Sequence, residues 1–226
     1  MWSDWQPYPE FRGAIARGRV PMEFVLRYRG PLPAKMRGTI AEKHNIRLQL
    51  HPQLEELCRR NRLWQPAITD LPIATLKNRR IQFNPDFSAP LFARIPLRGV
   101  DFVPLVTRHR ELACQLDILW LRREKAGEII QDGGDLDNRL KALFDGLRIP
   151  YEEKELPNGN IAPTSGTRCY CLLEDDALIT KLAVTTYQLL EPLTGKAPET
   201  DVDLLLRVLV QSTSQQGGVE GFNYAE

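Results

Sequence analysis

No stretch of these 226 residues approaches the ~18 consecutive apolar positions that a helix needs to cross a bilayer, so no membrane association is expected. The start, Met1-Trp2-Ser3-Asp4-Trp5, lacks a basic segment followed by an apolar one. No secretory signal is therefore expected, and the default address is the cytoplasm. Histidine is scarce and scattered (His44, His51, His109). The four cysteines, Cys58, Cys114, Cys169 and Cys171, read as reduced thiols in a chain of this length without a signal. Cys169-x-Cys171 does not have the usual zinc spacing, so it is expected at alternate positions of a strand. There is no glycine-rich phosphate loop of the Walker type, and no internal repeat.

Net charge is also nearly missing, at +1, but that value hides an asymmetry. Residues 1–65 hold 12 Lys and Arg against 6 Asp and Glu, and residues 66–131 hold 10 against 7. Residues 132–226 hold 8 against 16. A basic front and an acidic back suit a protein that grips phosphates with arginine and a cation with carboxylates. With 42% hydrophobic and 26% charged residues, the chain can build a core.

Residues 1–20 have no clear periodicity and are expected to form an extended arm. Phe24 to Tyr28 reads as a strand ended by Gly30-Pro31-Leu32-Pro33, followed by a loop carrying Lys35, Arg37 and Lys43. His51-Pro52-Gln53 is expected to open a helix, with proline in its first turn, running to about Leu63. Residues 64–98 contain prolines at 66, 72, 85, 90 and 96 and read as an irregular insertion bearing the basic run Lys77-Asn78-Arg79-Arg80. Val100–Thr107 and Glu111–Arg122 are expected as strands joined by a hairpin turn at His109-Arg110. A helix is expected at about 136–148, a second irregular insertion at 150–170, and strands at 177–188 and 203–210. The tail from 212 to 226 is expected to be disordered. The resulting expectation is an α+β domain over 21–211: a mostly antiparallel or mixed β-sheet packed by two helices.

Chemistry concentrates in Gly133-Gly134-Asp135-Leu136-Asp137-Asn138-Arg139-Leu140-Lys141. Leu136, Leu140, Leu143, Phe144 and Leu147 make one apolar helical stripe, with Asp137, Lys141 and Asp145 on a polar stripe beside it. A structural explanation exists: Asp135 as helix cap and Asp137–Lys141 as an i,i+4 ion pair. The run Glu174-Asp175-Asp176 shifts the balance. Two carboxylates ~4 Å apart repel by roughly 4 kcal/mol at an effective dielectric of 20. A solvated turn escapes that repulsion, which suits Glu174 and Asp175. A divalent cation with a preference for hard oxygen ligands escapes it too. Such an ion can activate water and stabilise charge on a phosphodiester, with Lys141 supplying a fixed positive charge.

The run Asp135-Leu136-Asp137-Asn138-x-x-Lys141-Ala142-x-x-Asp145-x-Leu147, with Asp175-Asp176 before a strand, resembles the RusA family of Holliday-junction resolvases. The resemblance covers about residues 111–190 well and 22–63 loosely. It implies a RusA-like fold, with metal-binding catalytic aspartates at Asp135, Asp137 and Asp176 and an essential lysine at Lys141. It also implies a homodimer that uses Mg²⁺ or Mn²⁺ to nick four-way DNA junctions symmetrically, in recombination and repair. Lys35 and Arg37 are then expected on DNA phosphates. Lys77, Arg79 and Arg80, a basic run without acidic partners nearby in sequence, are candidates for further phosphate contacts, and Arg139 either steers DNA toward the metal or offsets the charge of the adjacent acids. This chain departs from the family in its two insertions, the second of which separates Asp137 and Asp176 by 39 positions. Two other readings of the same residues are a non-catalytic DNA-binding or regulatory protein of this fold, and a metal-dependent phosphotransfer enzyme acting on nucleotides. Arg59 and Arg60 are explained by i,i+4 pairing to Glu55 and Glu56. Packing is the expected use of Trp2, Trp5, Trp64 and Trp120.

Overall fold

A computed structural model of the chain describes residues 22–32, 39–62, 64–68, 71–83, 92–122, 136–190 and 201–213. The expectations for the N-terminal arm, for Trp2 and Trp5, for Lys35 and Arg37, for Asp135, and for the tail beyond 213 lie outside these residues.

The described chain is α+β, with mixed and antiparallel sheets and two helices. β1 (Met22–Pro31), β6 (Leu112–Arg122), β8 (Ile179–Gln188) and β9 (Asp201–Ser212) form a four-stranded sheet in the order β1-β9-β6-β8. The strand expected at 24–28 is longer than its glycine and proline suggest. β1 is an edge strand, where proline is tolerated, and Pro31 pairs with Asp201 as the last rung. One face of this sheet is the core. Leu26 and Tyr28 of β1, Leu116, Ile118 and Trp120 of β6, and Leu204, Leu206 and Val208 of β9 are all buried. Their period of two is the strand signature.

A second sheet comprises β4 (Ile95–Leu97), β5 (Val100–Val106) and β7 (Arg168–Leu173). β5 and β7 pair in parallel and are buried along almost their whole length, as a strand covered on both faces requires. The hairpin expected between residues 107 and 111 does not form. β5 and β6 belong to different sheets, and the link is a 3-10 turn at Arg108–Arg110 ended by Glu111 in the left-handed region. Cys169 and Cys171 occupy alternate positions of β7, as expected, and both are buried.

The region 64–98 is more ordered than its prolines imply. It contains β4 and an antiparallel hairpin of β2 (Thr75–Lys77) and β3 (Arg80–Gln82). Asn78 and Arg79, at φ 52° and 60°, make its two-residue turn, and Arg98 and Gly99, at φ 49° and 79°, make the β4–β5 turn. Positive φ at both central residues suits the twist of a hairpin. Arginine in that conformation costs roughly 1–2 kcal/mol relative to right-handed backbone, a cost that glycine avoids.

α1 runs Ile40–Arg60, eleven residues earlier than expected at its start. The true start signal is Thr39-x-x-Glu42. Thr39 accepts from the Glu42 N–H (3.2 Å), and Glu42 accepts from the Thr39 N–H (2.6 Å). This capping box satisfies two of the helix's orphan donors. Pro52 therefore lies inside the helix rather than at its first turn. α1 packs on β7, β1 and α2 (Leu136–Leu147). At its crossing with α2, a β-carbon on Gly146 would lie 2.6 Å from Ile46, so only glycine allows this approach. Arg59 and Arg60 pair with Glu55 and Glu56 on the outer face, as expected.

Two buried histidines of α1 hold the loop between α2 and β7. His51 Nδ1 accepts the Tyr170 N–H (3.1 Å), which leaves Nε2 to donate to Ser165 Oγ (2.7 Å). His44 Nε2 donates to the Ile161 carbonyl (2.9 Å). Burial lowers both pKa values from the ordinary 6.5. Opposing it are Glu55 at His51 and the Ile161 bond at His44, where Arg47 and Arg98 add to the lowering. Protonating His51 would also set an Nδ1–H against the Tyr170 N–H. The unfolded chain therefore binds more protons below about pH 6.5, and stability is lost as pH falls through that window toward the folded values. Urea midpoints are expected to fall between about pH 7.5 and 5.5. A His44→Gln, His51→Gln double variant should flatten that fall, and an equally steep profile in the variant would refute the assignment.

Candidate active site

α2 positions the upstream half of the site. Its buried stripe is Arg139, Ala142, Leu143, Gly146 and Leu147, while Leu136, Leu140 and Phe144 are only partly buried against the same core. The helix is thus turned by about one position from the stripe expected of its leucines, because the close crossing at Gly146 dictates which residues face α1. Asp137 and Lys141 remain on the outer side, with side chains 60% and 43% exposed, and they form an ion pair. Asp145, expected to extend that stripe, is drawn inward. It accepts from Lys43 of α1 (2.8 Å) and from Arg148 (2.6 Å). These two cations hold its carboxyl below the ordinary value, against the opposing effect of burial.

The downstream half is the turn after β7. The solvated-turn expectation for Glu174 and Asp175 does not hold, since they are 1% and 5% exposed. Their charge is offset by hydrogen bonds. Glu174 accepts from the backbone N–H groups of Ile81 (2.9 Å) and Arg108 (2.8 Å). Asp175 accepts from the Ala177 N–H (2.8 Å), capping the 3-10 turn Asp176–Leu178, and lies 3.4 Å from the Arg108 guanidinium. Burial raises the Asp175 pKa, but the Ala177 bond, Tyr151 and Arg108 together bring it below the ordinary value. Asp176 is the exposed member and has the opposite shift. Desolvation, then the charge of Asp175, with a further contribution from Asp145, raises its pKa above 3.8, against the attraction of Arg148. The pKa values of two neighbouring carboxyls are thus shifted in opposite directions.

Tyr151 links the two halves. Arg148 lies over its ring at 3.8 Å and Arg79 at 5.1 Å. Its hydroxyl is buried, closes no hydrogen bond of ordinary geometry among the described residues, and lies near enough to Asp175 to help hold that carboxyl ionised. Through Arg79 the tip of the β2–β3 hairpin reaches the acidic turn. Lys77, Asn78, Arg79 and Arg80 are all exposed there. Tyr151, Arg148, Arg108 and the anchoring role of Glu174 were not legible in the sequence, and Lys43, expected in a loop, lies in the first turn of α1. The sole signal was the basic run at 77–80, whose neighbours in space the chain order does not reveal.

Of the predicted site residues, Asp137, Lys141 and Asp176 stand on adjoining elements, since the 3-10 turn packs against α2. The charges that reach Asp176 are those of Asp175, Arg148 and Asp145. Asp145 is eight residues beyond Asp137, a displacement of ~12 Å along the helix. Arg139 is 5% exposed, so a direct phosphate contact from it requires its surroundings to open. Among the described residues, no group of three or more His, Cys, Asp and Glu side chains gathers as a metal site. The exposed donors, Asp137 and Asp176, are hard oxygens of the kind Mg²⁺ and Mn²⁺ prefer. The four thiols are buried, Cys58 and Cys114 with pKa values pushed up to about 12, and are not part of this surface. Among the described residues no helix is long and apolar enough to cross a membrane. Comparison with models of protein families, with curated proteins and with solved structures finds no match to this chain.

Proposed function

We propose that this chain is a divalent-metal-dependent endodeoxyribonuclease for branched DNA, acting as a homodimer in the manner of the RusA resolvases on four-way junctions. The observation that carries this reading is the state of Asp176. It is an exposed carboxylate crowded by Asp175 and Asp145, on a turn packed against the helix that displays Asp137 and Lys141. Such crowding is relieved by a cation, whereas Asp175 and Asp145 already have partners of their own in Ala177, Arg108, Lys43 and Arg148.

In this reading Asp137 and Asp176, with Asp135, would hold Mg²⁺ or Mn²⁺. The ion would supply an activated water and charge stabilisation at the phosphodiester. Asp137 keeps the Lys141 ammonium at the site through their ion pair, where it faces the developing negative charge. Glu174 and Asp175 hold the turn in shape through backbone N–H groups. Lys77, Arg79 and Arg80 supply positive charge for phosphates beside the acidic surface.

The test is incubation of a synthetic four-way junction, beside a linear duplex of the same sequence, with Mg²⁺ or with EDTA. Paired nicks in the junction alone, dependent on Mg²⁺, are expected. Cleavage that persists in EDTA rejects the reading. Retarded junction bands with no nicking under any divalent ion identify a non-catalytic DNA-binding protein. Turnover of a free nucleotide without DNA cleavage identifies a phosphotransfer enzyme.

A further inference from the structure

The β2–β3 hairpin is built with a local conflict. Its turn needs positive φ at both central residues, and Arg79 occupies the second at φ 60°. The β4–β5 turn of the same molecule meets the same need with glycine, at Gly99. Glycine is the residue that such a turn favours, so the Arg79 side chain stands against the preference of its own backbone, as Arg98 does at the first position of the other turn. The hairpin is also pinned from below. The buried Glu174 carboxylate accepts from the Ile81 N–H of β3 and from the Arg108 N–H, bridging the hairpin to the acidic turn. Arg108 in turn donates to the Arg79 carbonyl (3.4 Å). Ile81 is buried in the second core cluster with Phe102, Leu156 and Cys169. Above that anchor, Arg79 lies over the Tyr151 ring, and Lys77 and Arg80 face each other in register.

From this geometry we infer that the hairpin is a rigid DNA-binding arm, in which Arg79 takes a backbone phosphate while Glu174 and Tyr151 are positioning residues that fix that phosphate relative to Asp176. A guanidinium over an aromatic face keeps its outward N–H groups free to donate. Anchoring the strand that carries it to the acidic turn makes the separation of the two surfaces a property of the fold. A tethered but loose basic loop would add affinity to any DNA; a fixed one selects DNA whose phosphates match its position. The purpose given to the arm rests on the nuclease reading, whereas its binding does not.

The test uses the full chain with a labelled four-way junction, and affinities are measured across a salt series in EDTA. Arg79→Gly is expected to reduce the slope of log affinity against log salt by about 1, the loss of one phosphate contact. Its melting temperature should not fall, because glycine suits the turn. Glu174→Gln is expected to retain the native slope, since every cation remains, but to blur the hydroxyl-radical footprint of the bound junction. A native slope in Arg79→Gly, a sharp native footprint in Glu174→Gln, or a parent protein that binds no DNA overturns the inference. A reduced slope with no nicking in Mg²⁺ leaves the arm standing and removes the nuclease. Mg²⁺-dependent nicking with an unaltered slope does the reverse.

Discussion

Asp176→Asn is expected to lower nicking of a four-way junction by about 10²–10³-fold, on the scale of losing one preorganised charge-stabilising group, while junction binding stays within a few-fold. The same substitution is expected to raise the melting temperature in metal-free buffer. The two effects have one cause. Partial desolvation on the packed turn, with the neighbouring acids, holds the pKa of the otherwise exposed Asp176 above 3.8. A carboxyl with a raised folded pKa contributes its stability at low pH and loses it as pH rises through that value. At neutral pH the ionised side chain is therefore a cost to the fold, and asparagine removes it. The advantage of the variant should fade in acid, where the native carboxyl is itself protonated. Mg²⁺ should reverse the order, stabilising the native chain through the carboxylate and doing little for asparagine. Melting curves with and without Mg²⁺, run beside the nicking assay, read both halves. A variant that nicks at the native rate, or melts lower without metal, would refute this account of the site.

Arg47→Met is expected to destabilise the fold by about 3 kcal/mol, lowering the melting temperature by roughly 6–12 °C in a chain of this size. Arg47 is 2% exposed, and burial lowers its pKa. Its Nε donates to the Arg148 carbonyl (2.8 Å) and its Nη2 to the Asp145 carbonyl (2.5 Å). These carbonyls lie at the end of α2, where no further turn supplies N–H donors. A side chain from α1 thus caps α2 and places a positive charge at the negative end of its dipole. Methionine fills similar volume but leaves both acceptors unsatisfied, at about 1–3 kcal/mol each before relaxation. A melting temperature within about 2 °C of native would show that other donors replace the guanidinium.

Legibility in the sequence followed the range of the forces involved. Strands β5, β6 and β9 and helix α2 were placed to within two residues or so, because their side-chain periods are local and strong. The start of α1 is marked in the sequence by Thr39-x-x-Glu42, but Pro52 resembles a first-turn residue and masks it; the long helix accommodates that proline in its interior. The hairpins within 64–98 were hidden by prolines, and by a turn written Asn-Arg where glycine is the usual second residue. At the candidate site, spacing and charge mark the two acidic runs, and the resemblance to the RusA family singles out Asp137, Lys141 and Asp176 within them. Tyr151, Arg108 and Lys43, which meet Asp175 and Asp145, come from other elements and carry no local signal.

From the residue order alone came the α+β class, the amphipathic helix that carries Asp137 and Lys141, and the acidic run whose mutual repulsion marks it as unusual. Periodicity and like-charge crowding act between residues close along the chain, which is why these features were readable. Only the tertiary structure decided that Glu174 and Asp175 are buried and hydrogen-bonded, that Asp145 belongs to Lys43 and Arg148, and that a basic hairpin is fastened to the acidic turn through Glu174. Each of those outcomes depends on which partner reaches a charge first in three dimensions, and desolvation makes that choice only after the chain has closed around it.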